Sequence, residues 1–281
     1  MTENTTTIEN RVFDKLNIIP YIALVLVYLP ALYDLVIDWI EDSNYSHGFL
    51  IPIVSAFLIW KKREQLKAVT FKKDNAGLML LILGIILFVV ANGAAEYFTI
   101  RFSFVLCLFG LTYYLFGREV IKETWFPFFI LLFMIPVPYV LYYAITFPMQ
   151  TLATKITVVI LNTLGMNAIR QGNIIHITGH TLEVAEACSG IRSLISLLAL
   201  GAIYAYTTQK RFTAQLILFL STIPIAVIAN VFRVLVTSVM VAAVTEQVIE
   251  EPLHSIMGML VFVFAFISLF IFGFILRKVF K

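Results

Sequence analysis

Residues 213–243, TAQLILFLSTIPIAVIANVFRVLVTSVMVAA, form an apolar run whose one charged side chain is Arg233. A helix rises about 1.5 Å per residue and a bilayer's hydrocarbon core is about 30 Å thick, so such a run reads as a membrane-crossing helix. Counted from Thr213, Arg233 comes roughly 30 Å along it, near the far boundary of the hydrocarbon. Asn230, three residues earlier, shares that face. An ionisable group in a span is costly to bury and is therefore a functional candidate from the outset.

The rest of the chain has the same character. Of its 281 residues 60% are hydrophobic and only 13% charged, with a mean hydropathy of +0.94. That composition excludes an ordinary soluble domain and predicts a single membrane domain over residues 1–281. Eight apolar runs stand out, at about 18–38, 47–60, 76–94, 99–116, 124–147, 191–207, 213–243 and 256–276. The first lacks a small-residue cleavage site and is expected to be a retained span. No soluble domain is expected to follow the membrane core. The fold class predicted is all-α, a polytopic transmembrane bundle of about eight spans.

The net charge of +3 does not mark a nucleic-acid surface, because the basic residues fall in short clusters between apolar runs. They occupy every other connection: Arg11 and Lys15; Lys61, Lys62, Arg63, Lys67, Lys72 and Lys73; Arg118 and Lys122; Lys210 and Arg211; Arg277, Lys278 and Lys281. The positive-inside rule makes these connections and both termini cytoplasmic. The extracytoplasmic side then receives residues 41–48, the region from Asn92 to Arg101, the long segment 148–190 and the acidic link from Thr245 to His254. The protein is expected in a cytoplasmic membrane.

Within the long segment, Tyr143, Thr146, Gln150, Thr154 and Thr157 recur at helical spacing opposite Leu141, Ile145, Leu152, Ile156 and Ile160. This predicts an amphipathic helix in the membrane interface, with a re-entrant or ninth span as alternatives. A ninth span would reverse the topology downstream, against the charge pattern. Pro136, Pro138 and Pro148 are expected to break the run. Beyond it, the β-prone stretches Arg170–Ile177 and Thr181–Ala185 around Thr178-Gly179-His180 predict a small extracytoplasmic hairpin.

Four residues in or beside spans could carry chemistry: Cys188, Arg192, Arg233 and His254. Cys188, in EACSGIRSL, precedes a span by about one turn. A helix N-terminus and Arg192, four residues on, both favour a thiolate there. His254 immediately precedes the last span. Distant stretches thus bring Cys, Arg and His to one expected membrane depth, the combination a nucleophile, a charge stabiliser and a proton carrier require. A juxtamembrane Cys is also common as inert packing, and a membrane Arg can simply snorkel. Cys107 reads as packing, and His176 and His180 as surface hairpin residues. His47, in SNYSHGF, either faces the same outer cavity or serves helix entry. There is no HExxH zinc motif and no Gly-rich phosphate loop, and no aspartate pair is expected to act as a dyad. No cofactor or metal is implied.

EACSGIRSL, NVFR and His254 with its following apolar span closely resemble the exosortase and archaeosortase family, as do the SHGFLIP entry to the second run and the PVP break at Pro136. The resemblance covers nearly the whole chain. It implies a membrane cysteine transpeptidase or protease acting on membrane-anchored proteins that carry a C-terminal sorting tail: a Pro-Glu-Pro-type motif, a transmembrane helix and a basic cluster. The family's Cys, Arg and His match Cys188, Arg233 and His254, with Arg192 and Asn230 in support. The acyl-thioester would pass to water or to an amine on another acceptor, such as an envelope polymer. A competing reading is a non-enzymatic transporter or scaffold for envelope-polymer assembly. It is disfavoured because transport sites usually lie near the midplane between repeats, and no repeat is visible here.

Overall fold

The computed structural model of the chain describes residues 15–177, 179–184, 191–243 and 253–280, and within these the side chains of 17–177, 179–184, 194–242 and 258–280. Among the described residues six helices are long and apolar enough to cross a membrane, and two shorter ones are apolar. The chain is a polytopic, all-α membrane fold with one small sheet. Its contacts divide it into two compact units, residues 1–137 and 138–281.

The first unit contains α1 (Lys15–Glu41), α2 (Leu50–Lys61), the short α3 (Arg63–Lys67), α4 (Asn75–Gly93), α5 (Tyr97–Phe116) and α6 (Arg118–Ile130). Single 3-10 turns, Ser46–Phe49 and Leu131–Met134, precede α2 and follow α6. Caps punctuate the run. Asp74 accepts from the backbone N–H of Ala76 to start α4, and Glu96 accepts from those of Phe98 and Thr99 to start α5. Gly117, at φ +85°, ends α5 where a side chain would be strained.

Helices α4 and α5 pack most closely, because glycines let their backbones approach. A Cβ on Gly77 would strike the backbone of Tyr114, one on Gly110 would lie 2.6 Å from Leu81 N, and one on Gly84 would lie 2.5 Å from Cys107 Sγ. In α6, Pro127 deprives the Glu123 carbonyl of its usual intrahelical donor. Lys62 Nζ replaces it, donating to that oxygen and to Glu123 Oε2 at 2.9 Å each.

These contacts define two ends. At one, Trp39 Nε1 donates to Met134 O at 2.8 Å, His47 Nε2 lies 3.2 Å from Phe133 O, and Arg101 pairs with Asp38 at 2.6 Å. At the other, Lys62 meets Glu123, and the N–H groups of Lys72 and Asp74 donate to the carbonyls of Phe116 and Tyr114. The basic clusters from Lys61 to Lys73 and from Arg118 to Lys122 therefore gather at a single end, as a positive-inside arrangement requires.

The second unit contains α7 (Tyr139–Thr163), strands β1 (Ala168–Gln171), β2 (Ile174–Ile177) and β3 (His180–Glu183), then α8 (Ile191–Thr208), α9 (Phe212–Ala243) and α10 (Leu253–Val279). Ala205, Ala214 and Leu276 join one buried cluster, and Gln209 Nε2 donates to Gly273 O at 3.0 Å. Lys210, Arg211, Arg277 and Lys278 therefore share one end of this unit. The sheet sits at the opposite end, where Ile175, Ile177 and Val184 pack with Leu161 of α7 and with Val231 and Val234 of α9.

Three expectations change here. The run 124–147 is not one span: α6 ends at Ile130, and a new helix starts at Tyr139, just past Pro136 and Pro138, where a break was expected. Pro148 does not break that helix but lies inside it. The expected hairpin is a three-stranded antiparallel sheet in the order β1-β2-β3, because Gly172-Asn173 turns the first stretch back on itself with Gly172 at φ +64°.

The third change concerns the sidedness of α7. Its polar stripe faces inward, with Thr146, Gln150, Thr154 and Thr157 buried beside Tyr142, Ala153 and Leu161. Its apolar face is outward, with Leu141, Ile145, Phe147, Leu152 and Val159 exposed. An outward apolar face suits lipid both for a helix lying in the interface and for a span, and the 25 residues meet the length needed to cross.

Candidate active site

Of the residues singled out in the sequence, Arg233 and Asn230 are fully described. Cys188 lies outside the described residues. Arg192 and His254 belong to the described backbones of α8 and α10, but their side chains lie outside the described set. The helices that carry them can nevertheless be aligned by their contacts.

Helices α8 and α9 run antiparallel, with Gly201 packed directly on Thr222. Ten residues back from Gly201 and ten forward from Thr222 are Ile191 and Phe232. Helices α8 and α10 run parallel, with the Tyr204 ring stacked on Phe270 at 4.4 Å between centroids. Thirteen residues back along both are Ile191 and Met257. The start of α8, the Arg233 turn of α9 and the first turns of α10 thus fall at one level, at the end away from the basic clusters.

A direct contact agrees with that alignment. A Cβ built on Gly258 would lie 3.7 Å from Arg233 Nη2 and 3.9 Å from its Cζ, so the guanidinium lies against α10 where a glycine leaves it room. His254 is four residues before Gly258 and occupies the same helical face, one turn closer to the helix start. In sequence, Cys188 precedes the level of Ile191 by three residues, and His254 precedes Met257 by the same number. Asn230, only 3% exposed, lies one turn below Arg233. It separates the side of α9 that meets α10 from the side bearing Val231 and Val234, which meets α7.

Gly258 was not singled out in the sequence. Its signal would have been a small residue one turn past the histidine. The sequence reading also passed over Arg101, 6% exposed on α5, and over Asp34, one turn from Asp38 on α1. Asp38 is committed to Arg101, so these carboxylates form no proton-sharing dyad; the pair is a structural pin in the first unit. Cys107 is fully buried where α4 crosses α5, 3.6 Å from the Tyr28 hydroxyl. His176 lies on the sheet, with Nδ1 3.1 Å from Thr181 Oγ1 across the strand pair. Among the described residues no three His, Cys, Asp or Glu side chains are grouped to hold a metal.

No curated protein and no solved structure matches the chain. The family description of transmembrane exosortases matches residues 39–271, which takes in α8, α9 and α10 as far as Ile271, and with them the ACSGIRS, NVFR and His254 positions. With so much of its length matched, the chain belongs to the transmembrane exosortase family.

Proposed function

We propose that this chain is a membrane cysteine transpeptidase or protease that cuts C-terminal sorting tails from membrane-anchored exported proteins, using Cys188, Arg233 and His254. The observation that carries the reading is the Arg233 guanidinium lying against Gly258, one turn from the position of His254 and level with the start of α8. Family membership supports an exosortase-type reaction.

In this mechanism the Cys188 thiolate attacks the scissile carbonyl carbon and forms the C–S bond. Charge moves onto the carbonyl oxygen, where Arg233 offers a planar fork of donors, helped by Asn230. The C–N bond then breaks as His254 gives its proton to the departing amine, leaving an acyl-thioester. Water or an acceptor amine attacks that carbonyl and releases the thiolate. Arg192, four residues beyond Cys188 in sequence, favours the thiolate before attack. The alternation of basic clusters along the sequence is what supports a site on the outer face of a cytoplasmic membrane.

The test is processing of a tagged single-span substrate ending in such a tail. Cys188→Ala should insert at normal levels and process nothing, whereas Cys107→Ala should process nearly as the natural chain does. In the Cys107→Ala background, an impermeant thiol reagent added to intact cells should block processing. Processing by Cys188→Ala would sink the covalent mechanism. Blockage only by a permeant reagent would sink the outward-facing site.

A further inference from the structure

The two outer flanks of the small sheet are treated differently. Val184 N donates to Asn173 O at 3.0 Å, so the next pair along, Glu183 with Ile174, exchanges no ladder bonds, and neither does Thr181 with His176 two residues further. The N–H and C=O groups of Thr181 and Glu183 therefore point away from β2, toward the open flank of β3. They meet no main-chain partner there among the described residues, and both residues are exposed. On β1, the two-residue turn Gly172-Asn173 makes Gln171 and Ile174 a bonded pair, so the groups that face outward are those of Ala168 and Arg170. Asn162 covers the first of these: its Nδ2 donates to Ala168 O at 3.0 Å, and its Oδ1 accepts from Ala168 N at 2.7 Å. One flank is plugged by a side chain of the preceding loop end, and the other is left open.

An open strand edge is a template for another extended chain, and peptides are commonly bound by adding a strand to one. The edge of β3 is held firmly enough to serve. Leu182 is buried beneath it, the strand rests on α9, and Thr181 Oγ1 lies 3.1 Å from His176 Nδ1 on the exposed face. From Glu183 the chain reaches Cys188 in five residues, at most about 18 Å. Resting on the function proposed above, we infer that the open flank of β3 takes the extended main chain of the substrate's tail as a fourth strand, paired with Thr181 and Glu183. The added strand runs beside the segment that leads to Cys188. Its N–H and C=O groups exchange water for the edge, and its alternate side chains lie next to those of Thr181 and Glu183 on the exposed face.

The test uses the full chain in membranes with the same tagged single-span substrate. Glu183→Pro deletes one N–H from the open flank and none from the ladder, and proline is tolerated on edge strands. Its processing per enzyme molecule should fall about tenfold or more through a higher KM, with insertion and thermal stability unchanged. Glu183→Ala keeps the N–H and should exceed Glu183→Pro by about the same factor. Arg170→Pro, on the other flank, should process as the natural chain does. A second measurement needs no proline: with Cys107→Ala and Cys188→Ala in place, Thr181→Cys is combined with single cysteines placed one at a time along the tail. Disulfides should form at alternate tail positions, as between paired strands. Equal processing by Glu183→Pro and Glu183→Ala would overturn the inference and leave the proposed function intact. Disulfides at no tail position, or at consecutive positions alike, would do the same, and this pattern decides if Glu183→Pro inserts poorly. No processing by the natural chain would overturn the proposed function, and this inference with it.

Discussion

The two units treat buried polarity in opposite ways. In the first, polar groups at depth are matched within the unit: Tyr28 with Ser103 at 2.8 Å, Tyr21 with Thr112 at 3.0 Å, Ser55 with the Pro127 carbonyl at 2.8 Å, and Arg101 with Asp38. Arg101 Nε is the one buried side-chain polar atom there without a hydrogen bond among the described residues, on a guanidinium already held by a carboxylate. In the second, Thr146, Thr151 and Thr157 of α7 keep hydroxyls with no partner among the described residues, and α9 carries Asn230 into the packed interior with a half-buried Arg233 one turn on. Apolar surroundings penalise unmatched hydroxyls, so the first unit is built as a scaffold, and under the function proposed above the second is the unit that handles substrate.

The sharpest challenge to this contrast sets one arginine against the other. Arg233→Lys keeps the charge and loses the planar fork, and processing per enzyme molecule should fall about a hundred- to thousandfold, or 2.7–4 kcal/mol. Arg101→Lys should instead lower the amount of inserted protein while each surviving molecule keeps its activity. Equal specific activity in the two variants would erase the distinction. Next in size is Gly258: a leucine there would displace the guanidinium and should cost on the order of a hundredfold, since a misplacement of about 1 Å can do so. An alanine fits at 3.7 Å and should be close to neutral. The smallest effect belongs to Tyr28→Phe. It loses the hydroxyl's contacts with Ser103 and the more distant Cys107, about 1 kcal/mol of stability by thermal unfolding, because Ser103 still donates to Ile100 O. Its activity per molecule should not change.

Much of this was legible in the sequence because lipid enforces a strong pattern. The apolar runs mark the helices, and the basic clusters assigned to one side by their alternation gather at common ends within each unit. Arg233 was legible as a lone charge in a span, and the contact with Gly258 gives it a position beside α10. The sidedness of α7 was not legible. A stripe of Thr and Gln has the same period whether it meets water or a protein interior, and only packing against α9 distinguishes the two. The third strand was missed because Gly172-Asn173 sits inside a stretch read as one strand. Arg101 was missed because its partner, Asp38, lies far away in sequence on another helix.

The length of α9 bears on where the sheet can be. Its 32 residues extend about 48 Å, against a hydrocarbon thickness of about 30 Å, and hiding the excess would need a tilt beyond the usual range of about 0–40°. With its first residue beside Lys210 and Arg211, the mismatch falls at the other end, as a post of about three turns bearing Val234, Leu235, Val239 and Ala242. The sheet leans on that post. Strands β1 and β3 each have one flank outside the ladder, and hydrocarbon cannot hydrogen-bond an open sheet edge. Hydrophobic mismatch in one helix therefore lifts the sheet to a depth where water or headgroups can reach its edges.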